Sequence, residues 1–177
     1  MDQNTKKQRV AEAVLDYIDN GESLGIGSGS TVNILIENLS KVRNKIRNVV
    51  SSSVKSTQLL ESNGFEVSEL RDVGRLTKYI DGADEVNKHL QMIKGGGGAL
   101  TREKILAHNS NQFICIVDDS KKVDMLGKFP LPIEVIPLSR SSVSLELIKH
   151  GGRPVLRENF VSDNGNLILD VHDLQIM

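Results

Sequence analysis

Val10, Val14, Tyr17 and Ile18 recur at helical spacing, and Asn20 with Gly21 supplies a stop. A short apolar stretch at residues 24–26 runs straight into Gly27, Ser28, Gly29, Ser30 and Thr31. Residues 32–39 then read as a helix, with Ser30 or Thr31 available as its cap. Residues 46–50 read as a second strand, followed by serines at 51–53 and a helix that ends near Gly64. Residues 65–70, 76–80 and 90–93 are further strand candidates, and the last of them enters Lys94 and the glycines 95–98. A helix over residues 100–107 and a strand over 113–117 follow. Strands alternating with helices predict a Rossmann-like α/β fold, a mostly parallel sheet with helices on both faces.

After Phe129 and Pro130 the character changes. Residues 133–136 read as a strand and 142–150 as a helix stopped by Gly151 and Gly152. Strands at 154–157 and 167–171 follow, with Asp163, Asn164 and Gly165 as the turn between them. This β-α-β-β order is most of a ferredoxin-like unit, which would need another helix and strand to be complete. The expected organisation is therefore a Rossmann-like catalytic domain over 1–129 and a small, incomplete α+β domain over 130–177.

Composition narrows the function classes. Lys plus Arg number 22 against 23 for Asp plus Glu, so a net charge of −1 leaves no footprint for nucleic acid. No apolar run approaches the roughly 20 residues that span a bilayer. The start, MDQNTKKQRV, lacks the apolar centre of a signal peptide. The single cysteine, Cys115, sits in Phe-Ile-Cys-Ile-Val and reads as a small core hydrophobe. A cytoplasmic protein is expected.

In an open parallel sheet, ligands bind beyond the carboxyl ends of the strands. The predicted strand ends deliver residues 27–31, then 81–85, then Lys94 with its glycines and Glu103, then Asp118, Asp119 and Lys121. The first loop has the composition of an anion cradle: glycines turn amides inward, hydroxyls add donors, and a helix start adds its dipole. It is no P-loop, because no Gly-Lys-Ser/Thr follows. It also fails as a dinucleotide fingerprint, since Ser30 stands where a third glycine is needed and no acid ends the second strand. A compact phosphate suits it better. Four successive glycines imply close backbone approach, although a flexible surface loop is the plain alternative. Lys94 and those amides have the chemistry to stabilise an oxyanion, and Glu103 to move a proton. Taken alone, Glu103 could equally be a helix-start glutamate, and Asp81 with Asp84 an Asx-type turn. His89, His108, His150 and His172 lie apart, without metal-ligand spacing.

Taken in order, the strings GIGSGST (25–31), SSS (51–53), YIDGADE (79–85), MIKGGG (92–97) and ALTREK (99–104) resemble the ribose-5-phosphate isomerase A family. DSK (119–121), GKFPLPIEV (127–135), GGRP (151–154) and DNGN (163–166) extend the resemblance over essentially the whole chain. It implies an aldose-ketose isomerase of the non-oxidative pentose phosphate pathway. Such an enzyme uses no cofactor or metal and takes a small sugar phosphate. It assembles as a homodimer or homotetramer, with the small domain serving as lid or oligomerisation element.

By the same resemblance, Ser28, Gly29, Ser30 and Thr31 hold the phosphate end of the substrate. Asp81, Gly82, Ala83 and Asp84 line the sugar, together with Lys94, Gly95, Gly96 and Gly97. Lys121 contacts substrate and Glu103 is the proton acceptor. Glu103 would take the C2 proton of the open-chain aldose and return it at C1. Lys94 and nearby amides would stabilise a cis-enediolate, and Asp81 or Asp84 would assist ring opening. Two departures stand out. Gly98 occupies a position where the family often has alanine, a change expected to loosen the loop. The family chain also continues past the point matching Met177.

Two other readings pair similar parts. An aminosugar-phosphate isomerase-deaminase or a CoA transferase would also join a Gly-rich phosphate loop to a glutamate, and ammonia release or acyl transfer would reveal it. A sugar-phosphate sensor would bind without turnover and usually carries a DNA-binding module, which this chain lacks.

Overall fold

The apolar stretch of the first strand becomes β1 (Glu22–Ile26) in the computed structural model, which describes residues 2–174 and 176. All five of its residues are buried. It pairs in parallel with β2 (Ile46–Ser51) and β3 (Leu76–Asp81), and β3 pairs in parallel with β6 (Ser110–Cys115). The order β2-β1-β3-β6 is the mostly parallel sheet expected from the alternating pattern.

Side-chain alternation along these strands divides the core into two layers. Leu24, Ile26 and Ile80 pack with Ile18 and with Val32, Leu35 and Ile36 of α2 (Ser30–Asn38). On the other face Val50 and Tyr79 pack with Leu106 of α5 (Leu100–His108), and Leu76 at the start of β3 joins the same cluster. Gly25 makes room for that second layer, since a β-carbon there would come within 2.8 Å of Leu76 and 2.9 Å of Tyr79. The helix α1 (Gln3–Ala13) is capped by Asp2, whose side chain accepts from the Thr5 amide, and α3 (Val54–Ser62) is capped by Ser53.

Several expectations shift. Residues 65–70 form only an isolated bridge, Val67 to Val49, before the short α4 (Leu70–Val73). Glu69 is already the N-cap of that helix, its carbonyl accepting from the Asp72 amide at 3.0 Å, and this ends the extended segment. The 90–93 candidate contributes only β5 (Met92–Ile93), which pairs antiparallel with β4 (Glu85–Val86) outside the parallel sheet. The cause is an Asx turn: the Asn87 side chain accepts from the amides of His89 and Gln91, and Leu90 takes a φ of 61°. The cap of α2 is neither Ser30 nor Thr31 but Gly29, at φ 102°, with no side-chain cap bond. Cys115 is half-buried rather than a core residue, because β6 lies at the edge of its sheet.

By compactness the chain divides into residues 1–82 with 102–120, and 83–101 with 121–177. This differs from a single boundary after 129: once the 83–93 hairpin leaves the parallel sheet, the glycine loop groups with the C-terminal part. The second unit contains β7 (Leu131–Val135), α6 (Arg140–Lys149), β8 (Arg153–Leu156) and β9 (Leu167–His172). β9 lies antiparallel between β7 and β8, the split βαβ arrangement read from the sequence. Its core is Val135, Leu169 and Val171 with Leu131, Ile133, Val143 and Leu147 around them. Glu134 fixes the turn before β9, accepting from Ser162 Oγ at 2.6 Å and Asn166 Nδ2 at 2.9 Å.

Candidate active site

The loop after β1 is built against Asp81, the last residue of β3. The Gly27 amide donates to the Ile80 carbonyl at 2.9 Å. A β-carbon on Gly27 would fall 1.9 Å from Asp81 Cγ, so no other residue fits there without displacing that carboxylate. Asp81 is fully buried. Its Oδ1 accepts from the amides of Ser28 at 3.1 Å and Gly82 at 2.7 Å, and its Oδ2 from the Tyr79 hydroxyl at 2.5 Å. The serine run at 51–53 buttresses the same loop: Ser52 N donates to the Ile26 carbonyl, while Ser53 holds Ser56, whose hydroxyl donates to the Gly27 carbonyl at 2.8 Å.

Glu103 lies in the first turn of α5 and is buried. Its Oε1 accepts from Ser28 Oγ at 2.8 Å. The carboxylate expected to move a proton is thus hydrogen-bonded to the anion loop itself. Gly29 and Ser30 are exposed and Thr31 half-buried at the start of α2, where first-turn amides have no intrahelical acceptor. Lys7 of α1 adds a cation, donating from Nζ to Ser30 Oγ at 2.9 Å. The sequence reading missed Lys7, and no signal near it could have found it: only the packing of α1 on α2 brings it to the loop.

Tyr79 was also unassigned, although its position two residues before Asp81 puts both on one strand face. Burial raises its phenol well above the ordinary value, and the Asp81 and Glu103 charges raise it further. It therefore stays a neutral donor to Asp81.

The second unit gathers the other expected residues. Ala83 and Asp84 precede β4, and Asp84 Oδ2 accepts from the Gly96 amide at 2.8 Å. Lys94 is half-buried directly after β5, Gly95 is buried and Gly97 exposed. Gly95 takes a φ of 104°, and a β-carbon on Gly96 would lie 2.5 Å from Asp84 Oδ1. Glu85, also buried, accepts from the amides of Gly127 at 2.8 Å and Phe129 at 2.6 Å. Gly98 does not loosen the loop as expected. Its φ is 83°, it donates to the Gly95 carbonyl at 2.9 Å, and the Phe160 ring covers it. Lys121 is half-buried at the end of the 3-10 turn Asp119–Lys121. Among the described residues no group of three or more His, Cys, Asp or Glu side chains has a geometry suited to a metal ion, and no helix is long and apolar enough to cross a membrane.

A parallel sheet with a glycine-hydroxyl loop at its strand ends, hydrogen-bonded to a buried glutamate, places the chain among the α/β folds that bind ligands beyond their strand ends. Comparison with known proteins narrows the class. The family described as "Ribose 5-phosphate isomerase A (phosphoriboisomerase A)" matches residues 48–177. A ribose-5-phosphate isomerase A from Buchnera aphidicola is 53% identical over 99% of this chain and 79% of its own length. The crystal structure of ribose 5 phosphate isomerase A from Neisseria gonorrhoeae superposes with a TM-score of 0.95 at 49% identity, covering 98% of this chain and 78% of that one. A D-ribose-5-phosphate isomerase solved with phospho-erythronic acid gives a TM-score of 0.94 at 34% identity, covering 99% and 82%. The chain belongs to the ribose 5-phosphate isomerase A family. It is an aldose-ketose isomerase of the kind that interconverts ribose 5-phosphate and ribulose 5-phosphate.

Proposed function

We propose that Glu103 carries the proton between C2 and C1, through a cis-enediolate, while the 28–31 loop holds the substrate phosphate. Moving a carbonyl by one carbon requires removing a proton from carbon α to a carbonyl, and a buried carboxylate is suited to that task. The observation that carries the reading is the 2.8 Å bond from Ser28 Oγ to Glu103 Oε1, which ties the base to the anion loop. Lys7, bonded to Ser30, adds positive charge for the phosphate.

Lys94 and the amides of Gly95 and Gly97 take the charge that develops on the enediolate oxygens, while the Gly96 amide holds Asp84 beside them. Of the two aspartates, Asp84 is the better candidate for assisting ring opening, because it is half-buried. Asp81, fully buried and holding the Ser28 and Gly82 amides, keeps the loop in shape. Gly82, Ala83 and Lys121 complete the substrate contacts by family resemblance. The relative solved with phospho-erythronic acid holds an acid phosphate whose carboxylate resembles a planar enediolate. A cytoplasmic homodimer or homotetramer fits a family of this kind. Ile136, Leu138, Leu145 and Ile148, all exposed, supply apolar surface for assembly, with residues 130–177 as the oligomerisation element or lid.

The test is Glu103→Gln. Turnover of ribose 5-phosphate should fall by roughly 10²–10⁴-fold while substrate still binds. Near-normal turnover with binding intact would remove Glu103 as the base.

A further inference from the structure

One side chain reaches both of the first carbonyls of the glycine loop. Arg157 Nη1 donates to Gly96 O at 3.1 Å and to Gly95 O at 3.5 Å. The rest of its guanidinium is held by Asp170 of β9 in a two-pronged pair, Nε to Oδ2 at 2.9 Å and Nη2 to Oδ1 at 2.5 Å. Both side chains are mostly shielded, at 17% and 20% exposure, so water competes weakly for these bonds. The Phe160 ring lies 5.3 Å from the guanidinium carbon and packs over Gly98.

We infer that Arg157 is a positioning residue for the isomerisation: it orients and polarises the Gly95–Gly96 and Gly96–Gly97 peptides so that the Gly96 amide holds Asp84 and the Gly97 amide faces the reacting oxygens. In a trans peptide the C=O and the following N–H point in opposite directions, and no cis peptide occurs among the described residues. Fixing the carbonyls of Gly95 and Gly96 on Arg157 therefore turns the amides of Gly96 and Gly97 the other way. The Gly96 amide, turned this way, donates to Asp84 at 2.8 Å, so the oxyanion donor that Arg157 sets is the Gly97 amide. Glycines have no side chains to hold these planes, so without the arginine the loop would sample many orientations. A charge-assisted bond to a carbonyl also strengthens the donor at the far end of the same peptide. None of the sequence motifs named Arg157, because its role depends on a contact about 60 residues away in the chain.

The inference rests on the reading that the Gly97 amide helps hold the enediolate, and its test separates the two. Arg157→Lys keeps a charge beside Asp170 but loses the planar fork. Arg157→Ala removes it and can be rescued with guanidinium ion. Thermal melting checks folding, and kcat, KM and inhibition by phospho-erythronic acid and by inorganic phosphate are measured for each folded variant.

The expected result is a fall in kcat of up to about 10²-fold, a matching loss of affinity for phospho-erythronic acid, and little change in KM or phosphate inhibition. Added guanidinium, but not sodium chloride at equal ionic strength, should restore Arg157→Ala. If phospho-erythronic acid binds the unmodified enzyme no better than phosphate, the reading of the amides fails. If it binds well and Arg157→Lys leaves kcat and that affinity unchanged, the assignment of Arg157 is overturned. Arg157→Lys carries this test even where the alanine variant does not fold.

Discussion

The Phe160 ring occupies the space that a side chain on residue 98 would need: a β-carbon on Gly98 would lie 2.2 Å from Phe160 Cζ. The glycine and the phenylalanine are therefore one packing solution, with the bulk missing at 98 supplied from 160. Gly98→Ala should destabilise the protein by about 1–3 kcal/mol through overpacking and the positive φ. In a Phe160→Val background the same change should have a smaller effect. Urea unfolding of the two single variants and the double variant measures the coupling. Strictly additive losses would show that the two positions do not share this space.

Lys7 is expected to act on binding rather than chemistry. Its contact with Ser30 places a cation at the loop proposed to hold phosphate, and losing a charge-assisted bond removes about 1.5–3 kcal/mol. Lys7→Met should raise KM by roughly 10- to 100-fold with kcat little changed, the pattern of uniform binding. Steady-state kinetics at low and high salt would check it. An unchanged KM would remove Lys7 from the substrate contacts.

Tyr79 links stability to alkaline pH. Burial first, then the charges of Asp81 and Glu103, raises its phenol above the ordinary 10.0. The folded protein thus holds this proton more tightly than the unfolded chain does. The resulting stability is complete below about pH 10 and is lost as pH rises through the folded value. Tyr79→Phe should flatten that alkaline decline. It should also lower stability at neutral pH by about 1–3 kcal/mol, because a donor to the buried Asp81 is lost. Denaturation midpoints measured across neutral and alkaline pH decide both points.

Glu134 gives the opposite dependence. Partial burial alone would raise it, but hydrogen bonds from Ser162, Thr101, Asn166 and Asn164 outweigh that and hold it below the ordinary 4.5. Its contribution is present above that value and is lost as pH falls through the lower folded one. Glu134→Gln should flatten the acid side of the stability profile. An unaltered slope between about pH 5 and 3 would show that this carboxylate does not drive it.

Much of the candidate site was legible because its local chemistry is local in sequence. The glycine-hydroxyl loop, the Asp81 to Asp84 turn, and the glycine run with Glu103 nearby each carry their meaning within a few residues. The parallel pairing of β1 with β2 and β3 followed from apolar strands alternating with helices. What failed was decided by backbone geometry and local bonds that composition does not encode. The Asx turn at Asn87 pulled 90–93 out of the parallel sheet, and Gly29 replaced Ser30 and Thr31 as the cap of α2.

From its residues alone, this protein declared an α/β sheet, an anion loop, a candidate proton carrier and a family, because periodicity and short motifs encode those directly. Only the tertiary structure decided which distant side chains serve the motifs: Lys7 at the 28–31 loop, Phe160 over Gly98 and Arg157 on the glycine carbonyls. Those assignments depend on packing partners brought together through space. A hydrogen bond spanning tens of residues leaves no period in the chain from which it could be read.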